Sequence, residues 1–368
     1  MKKIFYMLAI VASVVAVACG GAKKAEKAEK AEKVNLDAIN QSVAEIEAMV
    51  AEQSAEELAE VINARSYTLG ANMGLTMKFQ FADLELDMDE LKGAIVSFYS
   101  SGDVEDETFL ANNDKFRAFM YMHYAPYSQT KRTRDVMESN GMTEELPELP
   151  ELYTEEYTKE FVTNTLGSQM GASLKDVDGI DMAWVFKGIK DGLSVESQET
   201  IEETLLLTIN QMQSELMNVQ REMFEKQQQK AMQIANEAKE RSEAWLAEIE
   251  KQEGVKKTES GLLYRVERQG NGEFPTADTD RVTVHYEGSL QSGEVFDSSY
   301  DRDATITFGL NQVIKGWTEG LKLIDKGGEI TLWIPSDLAY GERGASGSII
   351  GPNAALKFKV ELFGINEE

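Results

Sequence analysis

The spacing of apolar side chains changes at Gly254, and this change limits the folds open to the 368-residue chain. From residue 35 to residue 253 apolar positions recur at helical intervals, whereas after Gly254 short runs alternate apolar and polar side chains between glycine turns. The alternating runs are residues 262–268, 281–290, 304–308, 328–335 and 355–363, and residues 312–322 form the one convincing helix among them. We therefore predict an α+β protein: an all-helical N-terminal region with a long connecting helix, then an antiparallel half-barrel sheet wrapped around one short helix.

Composition argues against two classes of protein. Hydrophobic residues make up 42% of the chain, which is enough for packed cores and argues against wholesale disorder. The formal net charge is −27, from 64 acidic and 37 basic side chains. This charge argues against a nucleic-acid partner, because nucleic-acid-binding proteins neutralise phosphates with a basic face.

The N-terminus has the order of an export signal. Two lysines precede an apolar run over residues 4–18, and this run is shorter than the about 20 residues that span a bilayer. We predict that residues 1–18 are a signal peptide. Residues 19–34 repeat the unit Ala-Glu-Lys and are predicted to be a charged spacer.

Cys19 is the only cysteine of the chain, so no intramolecular disulfide is expected. It lies in the stretch Val-Ala-Cys-Gly, which resembles a bacterial lipobox. The resemblance implies that Cys19 is lipidated and becomes the first mature residue, and the alternative is an ordinary cleaved signal with an incidental cysteine. Gly20 is not the acidic residue that often retains lipoproteins at the inner membrane. We therefore expect a lipid anchor in the cell envelope, with the outer membrane favoured and its face left open.

The helical region contains an internal repeat. The pairs Thr68-Leu69-Gly70, Met73-Gly74, Asp87-Met88 and Lys92-Gly93 recur downstream with shifts of 97, 97, 94 and 95 residues. Glycines four residues apart lie on one helical face, where a second helix can approach closely. The proline-containing segment 146–153 should break any helix. We predict helical units at residues 35–145 and 154–253, joined by this linker.

The second unit is predicted to end in a long connecting helix, because residues 194–253 contain no glycine or proline. Apolar side chains recur there at heptad spacing. They are Leu205, Ile209, Met212, Leu216, Val219 and Met223. Core packing and dimerisation both explain such a seam.

Residues 254–368 carry motifs in the order and spacing of one protein family. The motifs are VHYEG (284–288), FDSS (296–299), QVIKGWTEG (312–320), LAYGERG (338–344) and VEL (360–362). On these residues the segment is identified as a member of the FKBP-type peptidyl-prolyl cis/trans isomerases. The resemblance implies non-covalent isomerisation of X-Pro bonds without a cofactor. The implied partners are proline-containing, unfolded or partly folded exported polypeptides.

The resemblance also implies an apolar cleft with named residues. Trp317 matches the floor beneath the proline ring, and Asp297 matches a carboxylate near the substrate carbonyl. The backbone N–H of Ile314 and the hydroxyl of Tyr340 match donors to substrate carbonyls. The implied apolar walls are Tyr286, Phe296, Val313, Ile314 and Phe358. Further substrate contacts are implied for Ile306, for Phe308, and for Ile350 as the apolar tip of loop 341–352.

Each of these residues could also have a purely structural role. A single tryptophan or phenylalanine is more often ordinary core, and an aspartate before two serines is commonly a turn residue. The sequence contains two histidines, His123 and His285, and their spacing predicts neither a metal site nor a Ser-His-Asp hydrolase.

The repeated helical units resemble the N-terminal domain of FKBP-type isomerases of the macrophage infectivity potentiator kind. That family carries one copy, which mediates homodimerisation. Two copies in one chain leave a homodimer and an intrachain pseudo-dimer open. Two functions also remain open: a prolyl isomerase that assists the folding of exported proteins, and a client-holding chaperone or scaffold with weak or no isomerase activity.

Overall fold

The structure, a computed structural model, describes residues 35–142 and 146–366. The predicted signal peptide, Cys19 and the charged spacer lie outside the described residues. The chain divides into two compact units, residues 35–224 and 225–366 of the described ranges. Within these ranges, no helix combines the length and the apolar character that a membrane span requires.

The first unit is helical. Its helices are α1 (Leu36–Glu52), α2 (Ala55–Val61), α3 (Ala64–Gln80), α4 (Met88–Ser101), α5 (Glu107–Phe119), a π-helical turn (Met120–Tyr124), α6 (Ala125–Ser139), α7 (Lys159–Lys175), α8 (Met182–Ser194), α9 (Ile201–Thr204) and α10 (Ile209–Ile249). The division between the units falls inside α10.

The two repeats interlock within this unit. Helix α3 of the first repeat packs on α8 of the second, and α4 of the first packs on α7 of the second. The repeated glycines permit both crossings, since a Cβ on Gly70 would lie 1.9 Å from the carbonyl oxygen of Val185. A Cβ on Gly167 would lie 2.7 Å from the carbonyl oxygen of Leu91. Each repeat therefore completes its core with helices of the other.

The segment predicted to join the two helical units packs against their shared core. Residues 146–153 contain no helix or strand, but Leu152 is buried in the core that both repeats share. This linker is therefore part of the packed helical unit.

The long helix begins later than the heptad seam predicts. It starts at Ile209, and Leu205, the first seam residue, lies outside it. Thr208 and Gln211 explain this start. The Thr208 hydroxyl accepts from the Gln211 N–H at 3.3 Å, and the Gln211 side chain accepts from the Thr208 N–H at 2.9 Å. This reciprocal pair is a capping box, which satisfies orphan donors at a helix start.

The second unit confirms the predicted α+β class. Its strands are β1 (Lys256–Lys257), β2 (Leu263–Arg268), β3 (Arg281–Leu290), β4 (Val295–Ser298), β5 (Ile306–Gly309), β6 (Glu329–Ile334) and β7 (Leu356–Ile365). They form one antiparallel sheet in the order β1-β2-β6-β7-β3-β4, with β5 also paired to β3. Strands β1 and β4 were not predicted from the alternation.

One short helix, α11 (Lys315–Gly320), packs against the sheet. Its two glycines face strand β6, since a Cβ on Gly316 would lie 2.4 Å from the side chain of Ile334. A Cβ on Gly320 would lie 2.6 Å from the side chain of Leu332. This close approach places the intervening residue, Trp317, against the aromatic side chains of the sheet.

Candidate active site

The site is built around Trp317, which is only 4% exposed. Its ring meets Phe358 edge-to-face, with centroids 5.0 Å apart and planes at 88°, and meets Tyr286 at 5.1 Å and 87°. Phe308 lies 5.3 Å from the same ring. Edge-to-face contacts are favourable because the positive edge of one ring faces the negative face of the other. The three contacts hold the indole in one orientation.

Neighbouring strands supply the walls. Tyr286 lies on β3 and Phe358 on β7, and these strands pair with Gly288 opposite Phe358. Phe296 on β4 meets Phe358 edge-to-face at 5.5 Å. A Cβ on Gly288 would lie 2.6 Å from the Phe358 ring and 2.7 Å from the Phe296 ring. Glycine at position 288 therefore leaves the room that these two rings occupy.

A polar group lies at the edge of this aromatic cluster. The Tyr286 hydroxyl donates to the carboxylate of Asp297, and the Arg302 guanidinium donates to the same carboxylate at 2.6 Å. A second guanidinium nitrogen of Arg302 donates to the Tyr286 hydroxyl at 3.1 Å. The turn Tyr300–Asp303 after β4 holds Arg302 beside the carboxylate.

These contacts keep Asp297 charged. Burial alone would raise the pKa of Asp297, but the hydrogen bonds from Tyr286 and Arg302 outweigh it and hold the pKa below its ordinary value. The pKa of Tyr286 is raised by burial and by its hydrogen bond to Asp297. The pair is therefore a neutral phenol and a carboxylate at neutral pH.

Three possible donors have no partner among the described residues. The N–H of Ile314, just before α11, donates to no protein acceptor. The hydroxyl of Tyr340, a residue that is 42% exposed, makes no hydrogen bond within the described ranges. The indole N–H of Trp317 is buried and has no described acceptor. The N–H of Ile314 and the hydroxyl of Tyr340 are therefore available to a ligand.

The structure gathers most of the predicted site residues into one cluster. Tyr286, Trp317 and Phe358 belong to its buried core, and Phe296, Phe308, Val313 and Ile314 pack against that core half-buried. Ile306 is 39% exposed. Tyr340 lies between two short turns, Ser336–Leu338 and Gly341–Arg343.

Ile350, which the resemblance makes the apolar tip of loop 341–352, lies in the interior, and its substrate contact stays a prediction. Ile350 is 4% exposed and belongs to the buried core, whereas Ile349 is 47% exposed. The Ala345 N–H donates to the Ile350 carbonyl at 2.9 Å and closes the loop there. The exposed apolar side chain is therefore that of Ile349, one position earlier.

Sequence reasoning also missed Arg302. A half-buried carboxylate beside aromatic rings stays charged more readily with a cationic or donor partner, and an arginine five residues after Asp297 was a readable signal. No cluster of potential metal ligands occurs among the described residues.

Comparisons with known proteins agree with this geometry. Residues 272–363 match the family of FKBP-type peptidyl-prolyl cis-trans isomerases. Residues 159–266 match the domain amino terminal to FKBP-type peptidyl-prolyl isomerase. The match to the N-terminal domain falls on the second helical repeat. The first helical repeat precedes both matched segments.

Related proteins match about half of the chain. A probable FKBP-type peptidyl-prolyl cis-trans isomerase of Haemophilus influenzae is 40% identical over 208 residues, covering 55% of this chain and 83% of its own. The outer membrane protein MIP of Legionella longbeachae is 35% identical over 211 residues, covering 57% of this chain and 86% of its own. The crystal structure of FkpA from Escherichia coli has 38% sequence identity, covers 48% of this chain and 81% of its own, and gives a TM-score of 0.40.

The two family matches, together with a helical domain followed by an antiparallel sheet that packs on one short helix, define an enzyme of the prolyl isomerase class. The chain belongs to the FKBP-type peptidyl-prolyl cis-trans isomerase family.

Proposed function

We propose that the cleft around Trp317 is where this isomerase twists the X-Pro amide. The barrier to rotation is about 18–20 kcal/mol and comes from amide resonance. No covalent bond needs to form or break; the catalyst needs only to bind the twisted, less dipolar amide better than either planar form. An apolar pocket favours that state. The observation that carries the proposal is the buried Trp317 ring, enclosed by Tyr286, Phe308 and Phe358.

Each polar group around the cleft has a proposed role in binding the substrate or in catalysis. The free N–H of Ile314 and the hydroxyl of Tyr340 hold the carbonyls that flank the proline, and Ile349 contacts the residues around it. Asp297 lies near the amide carbonyl carbon, where its charge favours loss of resonance. Arg302 and Tyr286 keep this carboxylate charged and fixed. Each tenfold gain in rate requires about 1.4 kcal/mol of differential binding, a scale that a few such contacts supply.

We also propose that the substrates are exported polypeptides and that Cys19 carries a lipid anchor in the cell envelope. The apolar run over residues 4–18, the lipobox-like stretch and the single cysteine support this location. The name of the Legionella longbeachae relative, outer membrane protein MIP, supports it further. The pairing of both repeats within one chain favours an intrachain pseudo-dimer over a homodimer.

The cleft is tested by measuring the isomerisation rate of a short prolyl peptide with the full chain. Trp317→Phe removes part of the floor of the cleft. A partial loss of pocket contacts should raise the activation free energy by about 1–3 kcal/mol, which lowers the rate roughly ten- to hundredfold. Asp297→Asn should lower the rate while the fold is retained.

The matched control is Trp333→Phe. Trp333 is 3% exposed in the same unit, but it packs with Ile249 and Leu263 in a separate small cluster. We expect this variant to keep the rate of the unmodified chain. An equal loss of isomerisation rate in Trp317→Phe and Trp333→Phe would mean that both variants act by destabilising the fold, and this would contradict the proposal.

A further inference from the structure

The last part of α10 contacts the isomerase sheet with one face. Less exposed side chains recur there at intervals of three and four residues, which is the spacing of one helical face. They are Ala235, Ala238, Ser242, Trp245 and Ile249. Trp245 and Ile249 pack with Leu263 on β2 and Trp333 on β6. Ser242 is the one polar side chain in this row.

Ser242 is 9% exposed and joins α10 to the segment just before β7. Its hydroxyl donates to the Asn353 carbonyl at 2.8 Å and accepts from the Ala355 N–H at 3.0 Å. Serine is a weaker helix former than alanine, and its single hydroxyl proton goes to Asn353 rather than to a carbonyl of α10. Helix formation and apolar packing would therefore favour alanine at position 242. The two backbone groups that the hydroxyl binds explain the serine.

Asn353 makes a second connection to the same helix. Its side-chain amide donates to the Ala235 carbonyl at 2.9 Å, about two turns before Ser242. Its φ is 54°, in the left-handed region that asparagine adopts more readily than most residues. Asn353 is 7% exposed. Helix α10 therefore holds this residue twice, through its backbone carbonyl and through its side chain.

The residue held in this way closes the loop that carries Tyr340 and Ile349. The Asn353 N–H donates to the Gly341 carbonyl at 2.9 Å. Gly341 directly follows Tyr340, and the exposed Ile349 lies between the two ends of this closure. A continuous series of contacts therefore runs from α10 through Asn353 to the backbone next to Tyr340.

We propose that Ser242 and Asn353 are positioning residues for the isomerisation, because they hold loop 341–352 in the conformation that receives substrate. The proposal rests on the roles in substrate binding proposed above for Tyr340 and Ile349. It makes the end of α10 a part of the enzyme that determines substrate affinity. This part of α10 lies in the segment that matches the domain amino terminal to the isomerase.

Loss of these contacts should change KM more than kcat. Without the Ser242 hydroxyl, loop 341–352 can leave the conformation that binds substrate, whereas Trp317 on α11 and Asp297 on β4 keep their own contacts. If the loop has the binding conformation for about a tenth to a third of the time, the apparent affinity falls about three- to tenfold. We therefore expect Ser242→Ala to raise KM about three- to tenfold with kcat nearly unchanged.

The test measures kcat and KM of the full chain for one short prolyl peptide. Ser242→Ala removes the hydroxyl, whereas Ser242→Thr retains a hydroxyl and should keep KM close to that of the unmodified chain. Asn353→Gly removes the side-chain amide but still permits a positive φ, and it should raise KM by a similar factor. The matched control is Ser214→Ala, at an exposed serine of the same helix, which should change neither constant.

Amide hydrogen exchange, followed by NMR without substrate, tests the loop itself. The Ala345 N–H donates to the Ile350 carbonyl within the loop, and it should exchange faster in Ser242→Ala than in the unmodified chain. The amides of β3 should keep their protection, because only the loop opens. Unchanged exchange of Ala345, or faster exchange with an unchanged KM, would overturn the proposal. A loss of kcat at constant KM, together with a lower melting temperature, would assign Ser242 to stability and would also overturn it.

Failure of the positioning role is distinguishable from failure of the cleft. If the cleft is not the site of isomerisation, Trp317→Phe keeps the rate of the unmodified chain. If the cleft is the site but Ser242 does not position its loop, Trp317→Phe loses rate while Ser242→Ala keeps its KM.

Discussion

Gly93 and Gly188 each follow a lysine of the repeat, but one is open and the other is tightly packed. Replacing glycine by alanine should therefore stabilise the protein at one of them and destabilise it at the other. A Cβ on Gly188 would lie 2.3 Å from the Tyr67 carbonyl oxygen and 2.6 Å from the Ala71 nitrogen, whereas a Cβ on Gly93 would have nothing within 4 Å. Alanine favours a helix over glycine by about 0.5–1 kcal/mol at either place. At Gly188 the backbones of α3 and α8 must first separate by about 1 Å, and such overpacking costs about 1–3 kcal/mol.

We therefore expect Gly93→Ala to raise the free energy of unfolding by about 0.5–1 kcal/mol and Gly188→Ala to lower it by about 1–2 kcal/mol. For a unit of this size, 1 kcal/mol shifts the melting temperature by about 2–4 °C. The assay is thermal and urea unfolding of the full chain followed by far-UV circular dichroism, which reports chiefly on the helices. Equal shifts of the same sign in both variants would refute the close crossing of α3 and α8.

Three further predictions concern the charges and the assembly. Lys187 and Asp191 form a 2.6 Å ion pair with little exposure, so Lys187→Met should lower the free energy of unfolding by about 3–5 kcal/mol, because the Asp191 carboxylate then keeps only the hydrogen bond from the Tyr67 hydroxyl. A urea titration that shows no loss of stability in Lys187→Met contradicts this. The folded-state pKa of Asp297 lies below its unfolded value, so its stabilisation is present above the unfolded pKa and disappears as the pH falls through the folded pKa. The difference in free energy of unfolding between the unmodified chain and Asp297→Asn, measured with urea across pH, should therefore shrink in acid. A difference that grows in acid would contradict a lowered pKa of Asp297 in the folded state. Light scattering of the chain should give the mass of one protomer, because each repeat already packs with the other, and a dimer mass would favour pairing between chains.

Sequence periodicity predicted the order of the fold because amphipathic helices and alternating strands repeat over many residues. The repeated glycines at 70 and 167 marked close helix contacts, but they did not say which helix would approach. That information depends on packing between residues far apart in sequence, 115 positions for Gly70 and Val185 and 76 positions for Gly167 and Leu91. The late start of α10 was readable from Thr208 and Gln211, since Thr-x-x-Gln is a capping signal, and the heptad seam obscured it.

The candidate cleft was predicted through resemblance more than through pattern. No periodicity brings Trp317, Tyr286 and Phe358 together, because their contacts depend on the register of β3 with β7 and on the glycines of α11. The loop 341–352 was the least predictable part. It has no repeating period, so the sequence does not indicate that Ile350 is buried and Ile349 exposed.

Isomerisation in the Trp317 cleft is tested most directly by an NMR exchange experiment on a short peptide with one X-Pro bond, with the indole N–H signals of the protein recorded in the same sample. We predict that catalytic amounts of the full chain accelerate cis–trans exchange, and that added peptide shifts the Trp317 indole signal but not that of Trp333. Unchanged exchange with a folded protein, or acceleration without any shift of the Trp317 signal, would contradict the assignment of this cleft as the site of isomerisation.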